Sequence, residues 1–389
     1  MRTSFRSPRA GLAAFILPGL LGCSSGANSP VGVPAVNAEL PASARVLARD
    51  IRAADSLLLV HATRDVREIA QAALPRDASG LIGRNREWGA MYAARFQLGT
   101  GGALRIALTL PSSADSERDA RAALIGVEVG LHEMHASGQL AANVPPSIAM
   151  GRSPAPIDIA SGAAFYLGDA CLGLLALDAA PARDAIASNE RRKLTRTRLV
   201  QSASWLRTQA NLLLNGDKQA PNRLLFDARA FLACGVLAGD STLLATGMGF
   251  VAEFRRSVTP EGWFLEGTGW DTSYQAVSLD IGMDVVLLLP SGPVRTGLRD
   301  ELRRGGIWLQ SRVHPDGRVN SRGNARTCGG GESFLGTPKG LAVKSVVSGL
   351  VRVAVLGGPS VDSIMLDASR RVSGWARENG SSNGCFEDF

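Results

Sequence analysis

Apolar residues recur every three or four positions along most of this chain, the spacing that puts one greasy stripe on an α-helix. The pattern starts with Ala44–Val60 and Arg64–Leu74. It continues in Asn85–Leu98, through Trp88, Met91, Tyr92 and Phe96, and in Asp115–Ala136, whose start SSADSERD offers several N-cap residues. Ile157–Leu177, Arg191–Leu214, Arg223–Val236, Leu243–Phe254 and Tyr274–Leu289 follow. Pro293–Ser311, Lys339–Leu356 and Val361–Glu378 bring the total to about a dozen predicted helices. Strand-like stretches such as Leu104–Leu110 are short and isolated. The expected fold is all-α.

The loops between these helices come in two kinds. Leu237–Asp240 and Leu356–Pro359 are brief, whereas Gln139–Pro156, Asn215–Asn222, Thr259–Thr272 and His314–Pro338 are long and polar. Helix pairs separated by long loops, spaced about every 50 residues, suggest a hairpin repeat, although no strict sequence period exists. Two closures satisfy that pattern. An α/α toroid, incomplete or closed, gathers the long loops at one end around a cleft; an open α-solenoid is the alternative. The many Ala, Gly and Ser residues suit close helix packing, and the toroid is the expectation.

The N-terminus has a different character. Arg2, Arg6 and Arg9 precede a short apolar run, Ala10–Leu21, that is too brief for a membrane-spanning helix. Leu20-Leu21-Gly22-Cys23 resembles a bacterial lipobox, which implies cleavage before Cys23 and lipidation of that residue. Residues 1–22 are thus expected to be a signal peptide, and 23–43, rich in Ser, Pro, Gly and Asn, a flexible tether. Residues 44–389 would form the domain. The resemblance implies a lipid anchor in the bacterial cell envelope, with the outer membrane favoured because Ser24 and Ser25 carry no Asp retention signal.

With 389 residues, 45% of them apolar and 20% charged, the chain can bury a sizeable core. Losing the three signal arginines lowers the net charge from +7 to +4, mildly basic and compatible with an anionic polymer. No finger spacing, RNP-like strand or dense basic helix occurs, so nucleic acid is not an expected partner. No phosphate loop, dinucleotide fingerprint or nucleophile elbow occurs either, and no cofactor is expected. Cys171 and Cys234 lie in apolar helical patterns and read as buried free thiols. Cys328 and Cys385 lie in Gly/Ser/Asn-rich surroundings, where a disulfide could tie the C-terminal tail to the 320s loop. His132 and His135 have no third ligand nearby, so no metal site is expected.

Candidate chemistry concentrates in Pro260–Ser278, PEGWFLEGTGWDTSYQAVS. Glu266, Asp271 and Tyr274 lie there beside Trp263 and Trp270, on a glycine-rich loop between two helices. Loop packing with solvated carboxylates is the plain alternative. Together with TPEG before it and WLQSRVHPDGRVNSRGNARTCGGGESFLGTPKG after it, the stretch resembles α/α-toroid polysaccharide-degrading enzymes of the alginate-lyase-like and heparinase-like kinds. Tyr274 matches their cleft tyrosine, and Pro315-Asp316-Gly317 after Trp308 matches a recurring turn. The Asn-Asn-His motif of such alginate lyases is missing; Ala220-Pro-Asn222-Arg223 stands nearest, without the usual histidine base.

The resemblance implies a polysaccharide substrate, which the mildly basic composition suggests is anionic, and three schemes compete for it. In β-elimination, Asn222, Arg223, Asn324 or Arg326 would neutralise a uronate carboxylate. Tyr274 would act as base and acid if Arg223, Arg326 and Lys339 lowered its pKa, with His314 an alternative base. In hydrolysis by an inverting glycosidase, two of Glu266, Asp271, Asp316 and Glu332 would serve as acid and base. Trp263 and Trp270 would stack on sugar in either case, while Trp308, inside a helix, reads as core. A non-catalytic glycan-binding lipoprotein is the third possibility.

Overall fold

Side-chain oxygens and prolines set most helix starts. In the computed structural model, which describes residues 40–149, 153–334, 336–380 and 385–386, helix α1 is Ala42–Ala72, followed by α2 (Gly83–Glu87), α3 (Thr100–Thr109) and α4 (Ala114–Val129). Then come α5 (Pro146–Ala149), α6 (Pro156–Ala179), α7 (Arg183–Ile186), α8 (Asn189–Thr208) and α9 (Ala210–Asp217). The remainder are α10 (Pro221–Ala238), α11 (Ser241–Arg255), α12 (Thr272–Leu288), α13 (Pro293–Ser311), α14 (Val343–Leu356) and α15 (Ser363–Asn379). Ser113, Ser188, Asp240, Asp271 and Asp362 each accept amide hydrogens at a helix start. Prolines open α6, α10 and α13, where the missing N–H costs nothing. Among the described residues the only strands are the two-residue pair Ser333–Phe334 and Thr337–Pro338. The protein is all-α.

The helices pack in a definite neighbour order. α1, α3, α6, α10, α12 and α14 touch in succession, and α14 also packs on α1. Outside them α4 lies on α3, α8 on α6, α11 on α10, α13 on α12 and α15 on α14. Helix α6 is long and apolar enough to cross a membrane, but almost all of it is buried within the domain, so it is a core helix here. Where α3 crosses α6, a Cβ on Gly101 would sit 2.0 Å from the Asp169 carbonyl oxygen, so only glycine lets the backbones come this close.

A buried ion network joins five inner helices. Arg105 of α3 bonds Asp55 of α1 at 2.7 and 3.0 Å and Asp284 of α12 at 2.9 Å. Asp284 also receives Arg229 of α10 at 3.1 Å and Arg352 of α14 at 2.7 Å. Burial alone would raise the Asp284 carboxyl pKa, but these three guanidinium groups hold it well below the usual carboxylate range.

Several expectations change. Ala44–Val60 and Arg64–Leu74 are one helix, α1, bent at Ala62 where φ is −143° and ψ 42°. Leu40 is buried and α1 begins at Ala42, so the domain starts before the tether was expected to end. Asn85–Leu98 is not one helix: only its start belongs to α2, and Ala94–Gln97 form a short 3-10 turn. The buried Asn85 amide accepts from Tyr92 N and Ala93 N and donates to Ala93 O, replacing helical bonds with a tight turn. Leu104–Thr109 is helical, the second half of α3, and not a strand. Arg191–Leu214 divides at Gln209 into α8 and α9. Cys171 and Cys234 are not free thiols: they form a disulfide between α6 and α10, and Cys328 is bonded to Cys385. The signal segment 1–22, Cys23 and nearly all of the tether lie outside the described residues.

Candidate functional site

The first turn of α12 is fixed from beneath. Asp271 caps it, its carboxylate accepting from Ser273 N and Tyr274 N at 3.0 Å each. The same carboxylate accepts from Arg326 N at 3.1 Å, Thr327 N at 2.7 Å and the Thr327 hydroxyl at 3.0 Å. Asn324 takes the Thr272 amide at 3.0 Å and hydroxyl at 2.9 Å, and gives its own amide to Thr327. Asp271 and Asn324 therefore weld the 320s loop to the start of α12. Both are buried, and their hydrogen-bonding capacity is spent on that junction.

Above this junction five side chains form a connected acid–base cluster. Tyr274 donates its hydroxyl to Glu332 Oε2 at 2.7 Å, and Lys339 Nζ reaches the same hydroxyl at 2.8 Å and Glu332 Oε1 at 2.6 Å. Arg326 gives one terminal nitrogen to Glu266 and the other to Glu332 Oε1 at 3.1 Å. Its guanidinium also lies 4.4 Å from the centre of the Tyr274 ring. The supporting loop is built to hold these groups. Glu332 N bonds Arg326 O and Lys339 N bonds Glu332 O, while the Cys328–Cys385 disulfide anchors the segment. On the other side, Gly267 N bonds Gln219 O and Gln275 clamps Phe264 N, Gly262 O and Gly305 O.

Environment separates the two carboxylates. Glu266 is only 2% exposed, and burial raises its pKa to about 7 against the opposing pull of Arg326. Burial also acts upward on Glu332, but hydrogen bonds from Lys339 and Tyr274 outweigh it and leave that carboxyl below its ordinary value. Burial, then the hydrogen bond to Glu332, pushes the Tyr274 phenol well above its ordinary value. Lys339 is lowered, chiefly by burial. Near neutrality the cluster thus holds a protonated tyrosine, an ionised Glu332 and a Glu266 that can carry a proton.

The other sequence candidates fall around this cluster. Arg223, in the first turn of α10, bonds Asp217 at 3.0 Å and acts electrostatically on Glu266 and Lys339. Asn222 beside it is buried, with an Oδ1 that accepts no hydrogen bond among the described residues. Trp263 is half-buried and packs edge-on against Trp270 at 5.8 Å. Trp270 continues onto Trp308 at 6.4 Å, with Arg312 over both rings, so it belongs to a packed stack. His314 sits in the turn after α13, its Nδ1 2.9 Å from Asp316 and its ring beside Phe386. Asp316 is held by that turn, bonding Arg318 N at 3.0 Å and Arg318 Nε at 2.7 Å.

Sequence reasoning missed the clamp Gln275 and the ion network below the cluster. The signal was available in Asp280 and Asp284, two acids four residues apart in an otherwise apolar helix, which ask for buried partners. No protein-family model matches this chain, and no curated protein matches it.

Proposed function

We propose that the protein is a glycan-cleaving acid–base enzyme, a glycoside hydrolase in which Glu266 is the proton donor and Glu332 the carboxylate partner. One observation carries this reading: a single guanidinium, Arg326, holds both carboxylates, and their environments drive the two pKa values apart. As the glycosidic C–O bond breaks, Glu266 gives its proton to the leaving oxygen. Water forms the new C–O bond and passes a proton to Glu332; the two groups then re-equilibrate with solvent. Trp263, half-buried on the loop that carries Glu266, offers an apolar face for a sugar ring.

A β-eliminating lyase is the second reading, favoured by Arg326 over the Tyr274 ring and Lys339 on its hydroxyl, cations able to neutralise a uronate carboxylate. It is weaker as first framed, since a raised phenol pKa suits Tyr274 as proton donor and opposes it as base. The packing of α14 back onto α1 supports an α/α toroid over an open solenoid, with the cluster at the end where α10, α12 and α14 begin. Envelope anchoring through Cys23 belongs to the same proposal; Cys23→Ser should release the protein from the detergent phase.

The function is tested by incubating the protein with neutral and uronate glycans and with the Glu266→Gln variant. Release of reducing ends by the parent, lost in the variant while the fold persists, is expected. No release across a broad panel would leave the binding lipoprotein as the reading to pursue.

A further inference from the structure

Below the acid–base cluster, the inner helices enclose a cavity of about 310 Å³, with walls drawn from α1, α3, α6, α10, α12 and α14. None of the five cluster residues lines it, yet the two are adjacent: Tyr274 stands one turn before Val277 on α12, and Val277, Asp280, Ile281 and Asp284 continue down the same helix into the cavity. Its aliphatic lining includes Ile69, Leu98, Ile106, Val277 and Ile281. Phe226 is the sole aromatic among the lining side chains. A polysaccharide subsite would present aromatic platforms and polar groups left unengaged.

Most of the charged groups in the walls are already engaged. Asp284 is held by three arginines, Asp65 by Ser373 and Arg377, and Asp169 by the amides of Gly99, Gly101 and Gly102 at 2.8–3.0 Å. What these groups leave for a guest is chiefly hydrocarbon surface, and transfer of apolar surface from water is the favourable contribution it can make.

We infer that the cavity holds an aliphatic chain, so that the substrate is an amphiphile, a sugar head presented to Glu266 and Glu332 with an alkyl or acyl aglycone lying along α12. The inference rests on the proposed glycosidase reading for the head group, and on the cavity alone for the chain. Each buried methylene should strengthen binding about fourfold until the cavity is full.

Gly102 supplies the control. A Cβ there would meet only Asp169 Oδ1, at 3.5 Å, an ordinary contact, so Gly102→Leu projects a side chain into the cavity while leaving the backbone bond to Asp169 in place. Two assays on the parent and on Gly102→Leu separate the chain inference from the reaction. In the first, calorimetry follows binding of methyl, hexyl and decyl glucosides and the corresponding galactosides; in the second, hydrolysis of the same series is followed. The parent should bind decyl glycosides far more tightly than methyl ones, and Gly102→Leu should flatten that dependence while its melting temperature stays near the parent's. Binding that ignores chain length, or a Gly102→Leu series unchanged from the parent, overturns the inference. Chain-dependent binding without hydrolysis keeps the inference and counts against the glycosidase reading instead.

Discussion

Tyr274 and Glu332 are joined by a 2.7 Å hydrogen bond although 58 positions separate them, and the phenol is the donor. Lys339 touches both ends of that bond. The tyrosine is therefore a proton-holding group that orients a carboxylate, with its ring under Arg326.

Tyr274→Phe keeps the ring and the cation above it but frees one oxygen of Glu332. Turnover should fall about tenfold, while Glu266→Gln, which removes a positioned proton donor, should cost about 10²–10⁴-fold. Steady-state kinetics of both variants check the order. A larger loss in Tyr274→Phe than in Glu266→Gln would shift the account toward the lyase.

The pH profile of kcat/KM should fall on the alkaline side around pH 7, as Glu266 loses its proton, and on the acid side below about pH 4.5, as Glu332 gains one. Stability follows the same group. The folded pKa of Glu266 lies above its unfolded value of about 4.5, so its contribution is complete below pH 4.5 and is lost as the pH rises through about 7. Glu266→Gln should remove that slope from denaturant titrations between pH 4.5 and 7; a slope of equal size in the variant would contradict the assignment.

Asp284→Asn leaves Arg105, Arg229 and Arg352 buried around a neutral amide. A loss of about 3–5 kcal/mol is expected, read by urea unfolding. Because the folded pKa of Asp284 is depressed, its contribution is present above the unfolded value of about 3.8 and disappears as the pH falls below it. The variant should be correspondingly less sensitive to acid.

The two disulfides should separate stability from activity. Cys171–Cys234 links buried positions 63 apart, and the double serine variant should lose about 4 kcal/mol of stability. Cys328→Ser with Cys385→Ser loosens the loop that carries Arg326 and Glu332, so activity should drop more than the melting temperature does. Equal effects of the two pairs on both readouts would contradict this division.

The helices were legible in the sequence because most carry their own apolar stripe and several their own cap, as α11 does with Asp240 and α15 with Asp362. Helix α3 was not. Gly99, Gly101 and Gly102 weaken its start, and the missing cap comes from Asp169, 67 to 70 positions away. Asn85–Leu98 shows helical spacing but is held as a turn by Asn85, whose side chain bonds the Tyr92–Ala93 backbone, and by Gln97, whose side chain bonds Gly80, Ile82 and Gly126. The site shows the same division. Local sequence marked Glu266, Arg326 and Glu332 as polar groups on loops and Tyr274 and Lys339 as helix-start residues, but which carboxylate serves chemistry and which serves structure depends on partners. Asp271 is consumed as a cap and Glu266 is not, a difference that burial and neighbours decide and spacing does not.

The most direct measurement of the central claim follows product chemistry on a panel of neutral glycosides, alkyl glycosides and uronate polymers, reading reducing ends and the unsaturated-uronate absorbance in the same reaction. A hydrolase that uses Glu266 and Glu332 produces reducing ends with no rise in absorbance, and Glu266→Gln abolishes them. A rise of both signals, or undiminished product from Glu266→Gln, would contradict the account.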